Sequence, residues 1–121
     1  MNSNSFIYLE YIRRAIAELP GVTEKLCFDT PAWYVNKKIF ARMKEGGETL
    51  AIHTTERDVW MEKDSKTFFI TDHYLNYSYM LINLATVSPE DLKKLLFAAW
   101  YERAPKKLIK EYELNHWLKD K

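Results

Sequence analysis

Asp72-His73-Tyr74, followed by Asn76, Tyr77 and Tyr79, gathers a carboxylate, an imidazole, an amide and three phenols into one short stretch. Such a set can pass a proton or hold a polar, planar ligand. An adjacent Asp and His are too common to make a dyad by themselves, and tyrosine hydroxyls that merely close a loop fit the same pattern. If Thr30 and Trp33 lie across from this loop, then Thr30, Trp33, His73, Tyr74, Asn76 and Tyr77 form a small-molecule pocket with an aromatic wall. A second set is basic. Side chains alternate along a strand, so Lys38, Phe40, Arg42 and Lys44 are expected on one face, with Lys37 at the preceding turn. Cations and a ring on one face can grip a phosphate backbone while the ring stacks. An ordinary solvated strand face, with Phe40 twisted into the core, has the same sequence. Lys106, Lys107 and Lys110 form a third cluster, which equally describes the wet side of a helix.

Other chemistries lack their residues. His53, His73 and His116 are isolated, without HxxxH, HExxH or paired cysteines, so no metal site is expected. GxGxxG, GxxxxGK[ST] and GxSxG are absent, which leaves no cofactor or nucleotide cradle to name. The lone Cys27 has no CxxC partner and no neighbouring His, and reads as a small apolar residue at a strand start. With no activated nucleophile, the expectation is a protein that is not an enzyme.

These side chains need elements to hold them. Leu9, Ile12, Ile16 and Leu19 form the apolar stripe of a helix over residues 5–19, ended by Pro20-Gly21. After a connector, Phe28 to Val35 reads as a strand bent at Thr30-Pro31, and the proline suggests an edge or an interruption. Asn36-Lys37 suits a two-residue turn, because Asn tolerates positive φ. Strands at Lys38–Lys44 and Thr49–His53 flank a hairpin loop at Glu45-Gly46-Gly47-Glu48. The hydroxyls and early acids of residues 54–58 predict a short helix over 56–63. Phe68–Thr71 and Tyr79–Leu84 have strand composition. Ser88-Pro89-Glu90-Asp91 opens a helix that buries Leu92, Leu95, Leu96 and Ala99. Ala104-Pro105 breaks it, and Leu108, Ile109, Tyr112 and Trp117 suggest one more helix. The order implies a single α+β domain over residues 1–121, an antiparallel sheet with flanking N- and C-terminal helices in two layers.

The whole composition agrees. A chain of 121 residues, 47% hydrophobic and 29% charged, can bury a core without disulfides. Its net charge of +1 excludes the strong single-sign field of a histone-like or polyacidic protein. No stretch reaches membrane-span length, and Met1-Asn2-Ser3-Asn4-Ser5 lacks the start of a secretory leader, so a cytoplasmic protein with no membrane partner is expected.

Several phrases in order carry a family pattern: Leu19-Pro20-Gly21-Val22, Thr30-Pro31-Ala32-Trp33-Tyr34-Val35, Lys38-Ile39-Phe40-Ala41-Arg42, Phe68-Phe69-Ile70-Thr71-Asp72-His73-Tyr74, and Ala99-Trp100 before Ala104-Pro105-Lys106-Lys107-Leu108. Over roughly residues 15–112 the chain resembles the MmcQ/YjbR family. The resemblance implies a frataxin-like (CyaY-like) α+β fold and a DNA-binding role with a double-wing arrangement of hairpins. DNA binding through Lys37, Lys38, Arg42 and Lys44 would be weak and sequence-tolerant. The alternative is a non-enzymatic module for a small molecule or a protein, using the pocket near Thr30, Trp33, His73 and Tyr77. Two departures narrow what carries over. Leu75-Asn76-Tyr77-Ser78-Tyr79-Met80 is Tyr-rich and neutral where many members carry an Asn-Lys-basic-His-Trp pattern. The first helix also lacks the acidic ridge through which frataxins bind iron, since Glu10 and Glu18 stand beside Arg13 and Arg14.

Overall fold

The structure, a computed structural model, describes residues 3–119, so Met1 and Asn2 of the segment read for a leader lie outside the described residues. Helix α1 spans Ser3–Ile16 and lays Leu9, Ile12 and Ile16 into the core. It stops earlier than its apolar stripe suggests. Leu19 is buried from the turn that follows, where its N–H reaches the Ile16 carbonyl at 3.0 Å.

The segment read as a connector is a strand. Strand β1 (Val22–Cys27) pairs antiparallel with β2 (Thr30–Val35), placing Cys27 at a strand end rather than a start. Phe28 is therefore not in a strand. Phe28 and Asp29 form the two-residue turn, with φ of 50° and 67°, the left-handed pair that matches strand twist. β2 is interior, and its proline marks neither an edge nor a break. In such a hairpin Cys27 and Thr30 exchange the closing bonds and Leu26 and Pro31 do not, so the Pro31 nitrogen faces β3, whose pairing with β2 begins only at Ala32, and no ladder bond is lost. Beyond Asn36-Lys37, with φ of 51° and 66°, β3 spans Lys38–Met43 and β4 Thr49–His53. Between them the Gly46-Gly47 loop is closed by Lys44 N–H to Thr49 O at 2.8 Å.

Helix α2 (Arg57–Lys63) leads to the two-residue β5 (Phe68–Phe69), shorter than its aromatic run implied. A 3-10 turn at Asp72–Tyr74 precedes β6 (Tyr79–Asn83). Helix α3 (Pro89–Arg103) begins as expected, with Ser88 Oγ accepting the Asp91 N–H at 3.1 Å, and α4 (Lys106–Lys119) follows Pro105. No helix among the described residues is long and apolar enough to cross a membrane.

All six strands pair antiparallel in the order β1-β2-β3-β4-β6-β5, an α+β fold. One row across the sheet runs Glu24, Trp33, Ala41, Ile52, Met80. This face carries the core, packed beneath α1 and α3 with Trp33, Phe40 and Trp100 fully buried. The opposite row runs Lys25, Ala32, Arg42, Ala51, Leu81, Phe69. The helices lie on the core side and leave this second face to the 70–78 loop and to solvent.

Candidate functional site

The alternation expected along β3 fails at one residue. Trp33 opposes Ala41 while Tyr34 opposes Ile39, so Phe40 is the extra residue of a β-bulge. The bulge puts Phe40 in the core, at 0% exposure, and changes the parity of everything before it. Arg42 therefore shares the open face with Lys25, whereas Lys38 pairs with Val35 on the core parity. Lys37, Lys38, Arg42 and Lys44 do not share one face. Lys37 and Lys38 are exposed at one end of β3, and Arg42 and Lys44 are half-buried at the other.

The open face instead carries three cations, each against a ring. Lys25 Nζ lies 5.5 Å from the Tyr34 ring centre, Arg42 Cζ 5.2 Å from Phe28, and Lys44 Nζ 5.5 Å from Tyr74. Lys44 also donates to the Tyr74 hydroxyl at 3.1 Å. The positions follow from the fold: Lys25 and Tyr34 come from neighbouring strands, and the left-handed turn swings Phe28 over Arg42. Phe28 is 83% exposed, an unusual state for a phenylalanine beside a cation. Arg42 is additionally braced, its Nε donating to the Cys27 carbonyl at 3.1 Å and its Nη2 to both Glu45 oxygens at 3.1–3.2 Å. Burial, then a hydrogen bond with Cys27, pushes the Tyr34 phenol above its ordinary range, so it stays protonated. A cleft of about 420 Å³ opens between the Phe28-Asp29 and Gly46-Gly47 turns, with Thr30 and Lys44 in its wall.

The second expected set is only partly assembled. Trp33 is 1% exposed on the core face, where its Nε1–H donates to Glu24 Oε1 at 3.0 Å, so it cannot wall a pocket with His73. Glu24 also accepts from Arg13 Nε and Nη2 at 2.8 and 2.6 Å, a bidentate pair that holds its carboxyl below the usual range. Thr30 is bonded to the Cys27 carbonyl at 3.0 Å, in the hairpin cleft and not beside His73. His73 sits edge-on to Tyr74, 4.9 Å between centres, and 6.3 Å from Tyr77. His73, Asn76 and Tyr77 are exposed on the loop. The 70–78 loop owes its shape to Arg57, whose Nη atoms donate to the carbonyls of Tyr74, Leu75, Tyr77 and Tyr79 at 2.6–3.1 Å. No three His, Cys, Asp or Glu side chains converge as a metal site among the described residues.

The two expected sets thus meet at Lys44 and Tyr74. Sequence reading does not bring Lys25, Tyr34 and Phe28 together, because residues 22–27 read as a connector. The signal was present: Val22-Thr23 supplies β-branched residues, and the Phe28-Asp29 pair precedes a second run of strand-forming residues.

The family model YjbR matches residues 17–102, which includes every strand of the sheet. Uncharacterized proteins of Mycobacterium tuberculosis and Mycobacterium bovis are each 35% identical over 124 residues, an alignment that covers 86% of this chain and 94% of theirs. A crystal structure of a Deinococcus radiodurans protein with the family-model domain DUF419 superposes with a TM-score of 0.70 at 18% identity, covering 87% of each chain, and so shares the fold. With the match spanning most of its length and relatives this similar, the chain belongs to the YjbR family.

Proposed function

We propose that this protein binds single-stranded nucleic acid, DNA being the form the family resemblance implies, across the open face of β1–β3. The observation that carries the reading is the set of three cation and ring pairs, Lys25 with Tyr34, Arg42 with Phe28 and Lys44 with Tyr74. Rings accept stacked bases of any identity, and Lys25 and Lys44 beside them neutralise phosphates while Arg42, paired with Glu45, holds the Phe28 ring, which together give tolerant binding of an unpaired strand. The helices lie behind the sheet, so none is offered to a major groove. Lys37, exposed at the β2–β3 turn, extends the basic track at its other end. The reading is of a binding surface, not a catalyst: Asp72 and His73 make no hydrogen bond to each other among the described residues, and the His73 ring lies against Tyr74 and Tyr77.

Three phosphate contacts, from Lys25, Lys44 and the exposed Lys37, imply a log–log salt slope of about −0.7 × 3, or roughly −2, on a single strand, hence about an 18-fold loss between 50 and 200 mM salt. The test is fluorescence anisotropy with a labelled oligothymidine and a labelled duplex over that range. Wild type should prefer the single strand. The Lys25→Glu, Lys44→Glu double variant should bind at least about tenfold more weakly with a slope shallower by about 1.4, and Phe28→Ala should weaken binding with its slope unchanged. Equal binding by all three proteins, or none by wild type at low salt, overturns the proposal.

A further inference from the structure

On the far side of the molecule from the sheet face, α1, α3 and α4 enclose a groove of about 470 Å³. Its floor is apolar and aromatic, from Leu19, Phe97 and Tyr112, with the Phe97 and Tyr112 ring centres 5.2 Å apart. His116, also in the groove wall, lies against the Tyr112 ring at 3.8 Å between centres and is held by Nδ1–H donation to the Tyr112 carbonyl at 3.0 Å. Its volume is within the size range of small-ligand sites and can hold one or two fused rings.

The rim has donors without protein acceptors. Lys93 and Lys94 line the groove and make no ion pair among the described residues, and the Tyr112 hydroxyl donates to none of them. Burial pushes the Tyr112 phenol up, so it remains a protonated donor. Of the two rim carboxylates, Glu18 is already held by Lys119 at 3.1 Å and faces His116 Nε2 at 3.6 Å. Lys93 also acts on Glu18, but Lys93, Lys94 and Lys119 together outnumber Glu18 and Glu90, so the mouth favours an anion. An apolar, aromatic floor beneath two ammonium groups and a phenol donor is complementary to a ring bearing a carboxylate.

We propose that this groove binds a small planar aromatic carboxylate, its ring against Leu19, Phe97 and Tyr112 and its carboxylate on Lys93, Lys94 and the Tyr112 hydroxyl. The site is independent of the nucleic-acid surface, sharing no residue with it. The test is an NMR titration of the full chain with indole-3-acetate, and with indole as the uncharged control. Saturable shifts should centre on residues 93–97 and 112–116. Indole-3-acetate should bind at least about fivefold more tightly than indole, and a Lys93→Ala, Lys94→Ala variant should lose that advantage, since charge-assisted contacts supply it. Both lysines are exposed, so the variant is expected to fold, and its oligothymidine affinity should stay within about twofold of wild type. Absence of saturable shifts at millimolar probe, shifts elsewhere on the protein, or equal binding of the acid and indole overturns the proposal.

Discussion

His53 closes one end of the sheet. Its Nδ1 lies 2.7 Å from Glu102 Oε1, its ring stands edge-on to Tyr79 at 5.3 Å between centres, and Thr55 Oγ1 donates to the other Glu102 oxygen at 2.8 Å. Burial lowers the His53 pKa, with Arg103 adding to that effect, and outweighs the hydrogen bond to Glu102 that would raise it. A histidine held neutral in the fold takes up its proton in the unfolded chain first, near pH 6.5. Between that pH and the lower folded value the unfolded state binds more protons, so stability rises with pH and falls on acidification through this window. Urea unfolding at pH 7.5, 6.5 and 5.5 should show wild type losing stability stepwise, with a flatter profile for His53→Gln. Parallel profiles would remove His53 as the cause. Glu24 acts in the other window: Arg13 keeps it ionised below the usual carboxylate range, so its contribution persists above about pH 4.5 and fades only as pH falls further.

At the scale of elements, two left-handed hairpin turns fix the sheet face. Phe28-Asp29 delivers the exposed ring to Arg42, and Asn36-Lys37 sets the register that the Phe40 bulge then shifts. Lys37 holds φ at 66° without being a glycine. A residue with a Cβ gives up about 1–2 kcal/mol there, more than the roughly 0.5–1 kcal/mol of added chain entropy that glycine would cost. Lys37→Gly should therefore raise unfolding free energy by about 0.5–1 kcal/mol, read as a higher urea midpoint with an unchanged m-value. A lower midpoint would mean that the lysine side chain stabilises the turn by contacts outside the backbone. The same variant removes one cation from the track, so stability and oligonucleotide affinity should move in opposite directions.

Across the whole molecule, both α3 and α4 are tied to the turn that ends α1. Trp100 Nε1–H donates to the Pro20 carbonyl at 3.0 Å, and Gly21, at φ 73°, sits so close to α4 that a Cβ would meet Leu108 Cδ1 at 2.5 Å. Gly21→Ala combines a left-handed backbone with overpacking and should cost about 2–3 kcal/mol. Leu108→Ala leaves a gap in a half-buried site. In the double variant the new methyl group has room, so the pair should be less destabilising than the sum of the singles by about 1 kcal/mol. Additive losses in urea would show that the two elements do not touch in solution.

Periodicity and turn chemistry carried most of the architecture from the sequence alone. The stripe from Leu9 to Ile16, the Ser88-Pro89 start of α3, the Asn36-Lys37 and Gly46-Gly47 turns and the antiparallel α+β class follow from local rules acting within a few residues. The ordered phrases from Leu19 to Leu108 carried the family. What local rules do not contain is which face of a strand each side chain reaches once a bulge intervenes, and which distant segments lie opposite one another. The Phe40 bulge is decided by packing under α1 and α3, and it moved Lys38 off the face that Arg42 keeps. The expected pocket failed because Trp33 and His73 are separated by the thickness of the sheet, a relation no spacing in the chain expresses. The pairing of Lys44 with Tyr74, 30 residues apart, and the groove among α1, α3 and α4 exist only because hydrophobic burial brings those elements together.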